Sequence, residues 1–366
     1  MDHVIITVAV ITAISAILAL LITVANKTVN DYGDVKININ NEKDLEVRGG
    51  STLLTLLVDN EIFIPSACGG KGSCGFCKAK VLEGAGPILP TEESFISKEE
   101  EADHVRLCCQ VKVKNDMKIE IDEELFNVKQ YDYTVISNDN VTDTIKNLIM
   151  ELPEGKEIHF KPGQYIQLMS KKYKGSSEEV YRAYSIASSP NDKNHVGLLI
   201  GHVPEGIVSS YVHYHLHAGQ KVTVVGPYGD FYYRENDKEM VMVAIGTGMA
   251  PILSILRYMR EQKLTHRKAT FFFGAKVEEE LFFHEEFEQL QKELPNFKYV
   301  PCLSRVSEKS NWTGERCRVT DAIKRYIDNG PECEAYLCGS GVMIDSVVEV
   351  LKEKGLAEED ILYDKF

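Results

Sequence analysis

Residues 4–25 run for 22 positions without a charge, dominated by Val, Ile, Leu and Ala. As a helix rising about 1.5 Å per residue they reach about 33 Å, enough to cross a hydrocarbon core of about 30 Å. A signal peptide would show a basic start and a shorter apolar stretch. Met1, Asp2 and His3 supply no Lys or Arg, although Thr23-Val24-Ala25 passes as a loose cleavage site. A buried core helix of that length would carry at least one charge. The pattern predicts a single retained span, with residues 1–33 as anchor and polar linker. Lys27, the only basic side chain nearby, votes for a cytoplasmic C-terminal side.

Beyond the linker, residues 35–40 alternate apolar and polar like a half-buried strand, and 45–47 suggest the second arm of a hairpin. Residues 51–57 read as a capped helix followed by a Cys/Gly-rich loop, and short strands recur to about Phe126. From Tyr131 to about Tyr233, strand-like runs alternate with Gly/Pro turns and suggest a small antiparallel barrel. From Glu239 the rhythm becomes strand, glycine turn, helix, with further buried strands at 269–274, 299–303 and 335–338. The predicted architecture is multidomain. It comprises the anchor, an α+β domain at 34–128, an antiparallel β-barrel at 129–236, and an α/β parallel-sheet nucleotide-binding domain at 237–366.

Composition adds exclusions. The 366 residues hold 44% hydrophobic and 26% charged side chains, which argues against long disorder. A net charge of −14 would repel nucleic acid phosphates. Nine cysteines, several at close spacing, fit a reducing compartment better than a disulfide framework.

Cys68, Cys74 and Cys77 form C-x5-C-x2-C, and Cys108-Cys109 follow about thirty residues later. A [2Fe–2S] cluster takes four thiolates, two per iron. The interleaved Gly69, Gly70, Gly72 and Gly75 let backbone N–H groups approach the sulfurs. Structural zinc usually shows two separated C-x2-C knuckles instead.

With its Arg106-Leu107-Cys108-Cys109-Gln110 ending, this stretch resembles plant-type and adrenodoxin-type ferredoxin domains, of β-grasp fold. In those the ligand directly precedes the Gln, so the resemblance implies Cys109 rather than Cys108 as the fourth ligand. Residues 86–92 and 135–140 extend the likeness. Essentially the whole chain resembles the F subunit of the sodium-translocating NADH:quinone oxidoreductase, including its single N-terminal span.

Arg182-Ala183-Tyr184-Ser185 matches the R-x-Y-S signature of the ferredoxin-reductase superfamily. The resemblance implies FAD, with Arg182 on its pyrophosphate, Tyr184 stacked on the isoalloxazine and the Ser185 hydroxyl at N5. An isolated edge strand with a Tyr and two serines would look the same; the partner motifs following in family order separate the two readings. Gly206, Val208, Ser209 and Ser210 resemble the second pyrophosphate contact, a helix N-terminus. Gly246, Thr247, Gly248 and Met249 resemble the nicotinamide-binding turn. Cys338-Gly339 resemble the C-G-P motif near the nicotinamide, with Ser340 in place of Pro. The terminal Phe366 corresponds to an aromatic covering the flavin, without the Gly that often follows it. A long insertion of the family before R-x-Y-S is replaced here by residues 171–181. After residue 274 the acidic run Glu278-Glu279-Glu280 favours the free ribose 2′-hydroxyl of NADH, while Ser304-Arg305 is the counter-argument for NADPH.

The resemblance implies a membrane-anchored NADH dehydrogenase passing electrons through FAD to the cluster and on to integral-membrane subunits of a quinone-reducing complex. It places the protein in the bacterial inner membrane, single-pass, with cytoplasmic redox domains. Two rivals stand beside it: a stand-alone or oxygenase-type reductase, and a membrane-bound redox sensor, for which no output domain is visible.

Overall fold

Alternation builds the first hairpin. In β1 (Asp34–Ile39) and β2 (Lys43–Arg48), Val35, Ile37, Ile39, Leu45 and Val47 are buried while their neighbours face water. Asn40 and Asn41 close the turn with φ of 54° and 59°, the left-handed pair that a tight hairpin requires. The computed structural model describes residues 6–7, 10–20, 32–66, 68–307 and 310–365. The chain divides into two compact units, Met1–Val128 and Lys129–Phe366.

In the first unit, α1 (Leu53–Asp59) starts at Thr52, whose hydroxyl accepts the Thr55 N–H, and buries Leu53, Leu54, Leu56 and Leu57. β3 (Lys78–Glu83), β4 (Val105–Leu107) and β5 (Met117–Glu120) complete a mixed sheet ordered β2-β1-β5-β3-β4, with β1 and β5 parallel. One short helix, α2 (Lys98–Ala102), carries a reciprocal cap between Ser97 and Glu100. This is the predicted α+β unit. Residues 10–20 are helical, with Val10, Ile11, Ile14, Ile17, Leu18 and Leu20 exposed. Among the described residues no helix is long and apolar enough to cross a membrane. Residues 4–5, 8–9 and 21–25 of the predicted span lie outside them.

The second unit holds two sheets. Six strands, β6 (Lys129–Asn140), β7 (Ile145–Glu151), β8 (Tyr165–Met169), β9 (Tyr181–Ser185), β10 (His195–Gly201) and β11 (Lys221–Tyr228), pair antiparallel in the order β10-β7-β6-β11-β8-β9. An Ile186–Leu198 bridge and the Ala187 N–H on the Gly197 carbonyl at 2.8 Å join the two edges into the expected barrel. α3 (Ile207–Tyr214) lies between β10 and β11 in the chain. The remaining strands are β12 (Glu239–Ile245), β13 (Ala269–Ala275), β14 (Phe297–Leu303), β15 (Cys333–Gly339) and β16 (Ile361–Lys365), all parallel and ordered β14-β13-β12-β15-β16. The connecting helices are α4 (Met249–Gln262), α5 (His284–Glu293), α6 (Val319–Tyr326) and α7 (Gly341–Glu353). Chain order reverses between β12 and β15, which opens a crevice at their C-terminal ends.

Arg267 fixes the segment joining the two sheets. It is 1% exposed and donates to the carbonyls of Arg234 (2.6 Å) and Lys238 (2.7 Å) and to Glu334 (3.0 Å). The Tyr336 hydroxyl donates to the same carboxylate at 2.7 Å. Every charge in this cluster is therefore paired, as burial demands.

Candidate redox centres

The cysteine loop bends through left-handed glycines. A Cβ on Gly72 would stand 2.6 Å from the Gln110 amide, and one on Gly75 would stand 2.7 Å from the Phe95 ring, so only glycine fits either position. The thiols sort into two pairs. Cys68 and Cys74 lie 3.4 Å apart, and Cys77 shares a side-chain hydrogen bond with Cys109. Among the described residues no three His, Cys, Asp or Glu converge on one metal ion. Two pairs are what a binuclear cluster uses, two thiolates to each iron.

Cys109 faces this loop. Its sulfur takes hydrogen bonds from Cys77, the Gly72 N–H and the Gln110 amide, which together hold its pKa down at about 6 against the cost of burial. Cys108 is fully buried, and burial pushes it up to about 12. The donor set thus fits a negatively charged sulfur at Cys109.

A buried ion pair holds the loop in place, and the sequence reading missed it. Glu92, 0% exposed, accepts from Arg106 Nη2 (2.6 Å) and Nε (3.0 Å) and from the backbone N–H groups of Leu89 and Leu107 (both 3.0 Å). Arg106 also donates to the carbonyls of Gly86 (2.8 Å) and Pro87 (3.0 Å). Thr91 donates to Gln110 at 2.9 Å, and Gln110 donates to the Cys109 sulfur at 3.4 Å. From sequence, Glu92 looks like any surface carboxylate of a charged segment.

In the second unit Arg182, Tyr184 and Ser185 all lie on β9 and are half-buried. Burial raises the Tyr184 phenol well above its ordinary range. Ser185 pairs with Tyr165, and Arg182 with Leu168, across β8. At the start of α3, Gly206 has no side-chain cap, leaving the first helical N–H groups unpaired by the chain's own cap. The Ser209 hydroxyl is turned inward: it accepts the Val203 N–H and donates to the Val203 carbonyl, both at 3.2 Å. The Ser210 N–H is spent on the Gly206 carbonyl at 2.9 Å. What α3 offers an anion is therefore backbone N–H and helix dipole rather than hydroxyls.

Gly246, Thr247 and Gly248 form a single 3-10 turn between β12 and α4. A Cβ on Gly248 would collide with the Cys338 carbonyl, so glycine lets this turn lie directly on β15. Met249 and Cys338 are fully buried, and only their backbones can serve a ligand. A cavity of about 620 Å³ opens here, with Gly246, Thr247, Lys276, Glu280 and Ser304 in its wall. Thr142 and Thr144, from the turn between β6 and β7, also line it and were not anticipated. Glu280 accepts the Lys276 N–H at 2.8 Å. Gly339 ends β15 beside the cavity, and Cys338 pairs with Asp364 of β16. Burial raises Asp364 from 3.8 to about 6. Phe366 lies outside the described residues.

Three domain families match in the same order. Residues 37–114 match the 2Fe-2S iron-sulfur cluster binding domain, 132–233 the oxidoreductase FAD-binding domain, and 242–349 the oxidoreductase NAD-binding domain. The chain is a flavin- and iron–sulfur-containing nicotinamide nucleotide oxidoreductase. Among solved structures, a cytochrome P450 reductase of Amycolatopsis superposes with a TM-score of 0.73 at 25% identity, covering 91% of this chain and 98% of its own. The ferredoxin reductase of carbazole 1,9a-dioxygenase gives 0.68 at 21%, with the same coverage. The F subunit of the Na(+)-translocating NADH-quinone reductase of Neisseria meningitidis serogroup B is 40% identical over 97% of both chains. Its counterpart in Methylococcus capsulatus is 39% identical over 97% of both. The chain belongs to this family, the F subunits of the Na(+)-translocating NADH-quinone reductases.

Proposed function

We propose that the chain is the electron-input subunit of a sodium-translocating NADH:quinone oxidoreductase. In this reading it is anchored by the apolar segment at 4–25 in the bacterial inner membrane, with its redox domains in the cytoplasm. It receives NADH and hands electrons to integral-membrane partner subunits. The observation that carries the reading is the presence, in one chain, of two thiol pairs, the R-x-Y-S strand and the glycine turn of a nucleotide crevice.

FAD, where bound, would supply the chemistry that joins a two-electron hydride donor to a one-electron cluster. The chain's own residues supply the rest. Arg182 and the α3 N–H groups would hold the pyrophosphate. The Ser185 hydroxyl would hydrogen-bond N5, and Tyr184 would stack on the isoalloxazine. Gly246, Thr247, Gly248 and Gly339 give NADH close backbone approach in the crevice, with Glu280 on the ribose. Cys338, fully buried, backs the nicotinamide pocket as packing. Cys68 and Cys74 would hold one iron, and Cys77 and Cys109 the other. By its resemblance to the family's near-terminal aromatic, Phe366 would serve to cover the flavin.

The test is anaerobic rapid mixing of the FAD-loaded protein with NADH. Ser185→Ala should slow flavin reduction roughly 10- to 1,000-fold, the range for one catalytic hydrogen bond, while Arg182→Ala should mainly weaken FAD retention. Unchanged flavin reduction in Ser185→Ala would remove that serine from the catalytic set. A second reading, a stand-alone reductase for another acceptor, draws its support from the short 171–181 segment in place of the family's long insertion.

A further inference from the structure

The segment leading into the R-x-Y-S strand makes a contact that motif reading does not anticipate. Its base is closed by Ser170, which donates its N–H to the Val180 carbonyl at 3.0 Å and accepts the Val180 N–H on its hydroxyl at 3.1 Å. Its tip is a miniature hairpin in which Tyr173 and Ser176 exchange both backbone hydrogen bonds at 3.0 Å. From that tip the Tyr173 hydroxyl donates to the carbonyl of Ile207, the first residue of α3, at 3.1 Å. Its ring stacks on His215 at 4.4 Å and 28°, and on Tyr211 at 6.1 Å and 28°. One side chain thus grips both ends of a two-turn helix.

That grip has a consequence for the pyrophosphate. Arg182 follows the hairpin on β9, and the unpaired helical N–H groups begin at Ile207. On the proposed FAD assignment, these would be the two halves of one anion cradle, contributed by elements about 25 residues apart that do not pair with each other. A cradle binds well only if its halves stand at the right separation beforehand, because closing it at the moment of binding subtracts from affinity. We propose that Tyr173 is a positioning residue for FAD. By fastening the approach to β9 onto the first turn of α3, it sets the gap between Arg182 and the helix N–H groups. The proposal rests on the assignment of the pyrophosphate to that gap.

The test uses the full-length chain, freed of flavin and titrated with FAD. Tyr173→Phe keeps the stacking and loses the one hydrogen bond, so FAD should bind about 3- to 10-fold more weakly. Tyr173→Ala, which also loses the stacking, should weaken it further. ADP carries the pyrophosphate without the flavin ring, and should compete with FAD more weakly by the same factor. The visible spectrum of bound flavin should stay unchanged, because the isoalloxazine lies at the other end of the molecule. The flavin-free Tyr173→Phe protein should melt with the parent. Parental FAD and ADP affinities in Tyr173→Phe would overturn the proposal. So would a loss of FAD affinity matched by lower thermal stability with ADP competition untouched, the signature of a purely structural residue. Arg182→Ala is the control: if it bound FAD as tightly as the parent, the pyrophosphate assignment would fall, and the proposal with it.

Discussion

Asp364 stands opposite Cys338 in the parallel pairing of β16 with β15, so a carboxyl group and a thiol share the buried end of the nucleotide crevice. Burial raises the Cys338 thiol well above 9.0, and the Asp364 charge adds to that rise. The same burial lifts Asp364 from 3.8 to about 6. Because its folded pKa lies above the unfolded one, the folded protein holds this proton more tightly than the unfolded chain does. The stabilisation is complete below about 3.8 and is lost as pH rises through about 6. Asp364→Asn, which mimics the protonated form, should therefore melt higher than the parent at pH 8. The difference should close as the pH falls below 4. A melting-temperature gap that is flat from pH 4 to 8 would show that Asp364 does not titrate in this range.

Glu92 carries the opposite sign. Burial pushes its pKa up, but Arg106 and the N–H groups of Leu107 and Leu89 outweigh that and hold it below the ordinary 4.5. A depressed pKa gives stability that is present above 4.5 and lost as pH falls through the folded value. Glu92→Gln should cost about 3–5 kcal/mol near neutral pH, since it strands Arg106 as a buried unpaired charge. Denaturant titration measures this, and the half-life of the cluster absorbance should shorten with it. Parental stability in Glu92→Gln would mean that water or a rearranged loop pairs Arg106 instead.

Much of this is legible in the order of residues alone. Residues 35–40 and 45–47 show the period-two alternation of a sheet with one wet face, although Asn40, read as the end of the strand, already belongs to the turn. The cysteine spacing and the glycine turn at 246–248 are local and so visible in sequence order. What escaped depends on pairings between distant segments. Glu92 and Arg106 become one buried unit only when the loop folds onto β4, and Asp364 meets Cys338 only through the register of a five-residue strand. Within the acidic run at 278–280, Glu280, the residue expected at the nucleotide site, lines the cavity, while Glu278 is taken by the Ser310 hydroxyl at 2.7 Å. Ser209 reads as a phosphate ligand by position, but its hydroxyl is committed to Val203.

The choice between adjacent cysteines is a direct experiment. Cys109→Ala should abolish the visible charge-transfer absorbance and the paramagnetic signal of the reduced protein, because an iron losing a thiolate cannot hold the cluster. Cys108→Ala should keep both and lose only buried packing, since its thiol is a core group. FAD content should be unchanged in either. A cluster that survives in Cys109→Ala and vanishes in Cys108→Ala would reverse the assignment.

Nucleotide preference should follow Glu280. Its carboxylate lies in the cavity wall, held on the Lys276 N–H, where a 2′-phosphate would meet like charge. NADH should be the better substrate, and Glu280→Gln should raise the relative efficiency of NADPH roughly 10-fold by removing that repulsion. Steady-state kcat/KM with both nucleotides measures the ratio. Equal efficiencies in the parent would show that Ser304 and Arg305, one of which also lines the cavity, decide the matter instead.

A fragment beginning at Asp34 distinguishes a self-sufficient reductase from one component of a larger complex. Residues 34–128 hold 18 Asp and Glu against 11 Lys and Arg, so the cluster unit is acidic and suits a basic docking surface on its acceptor. Without the apolar segment the fragment should be soluble, bind FAD and the cluster, and reduce ferricyanide with NADH at the parental rate. Ferricyanide takes electrons at an exposed centre, whereas on the proposed reading quinone reduction would need membrane subunits that an unanchored fragment would not meet by lateral encounter. Quinone reduction should accordingly be lost in the fragment and kept in membranes containing the full chain. Its ferricyanide rate should also be insensitive to added membranes. A fragment that reduced quinone as fast as those membranes would carry its own acceptor site, and the stand-alone reductase would replace the complex-bound one.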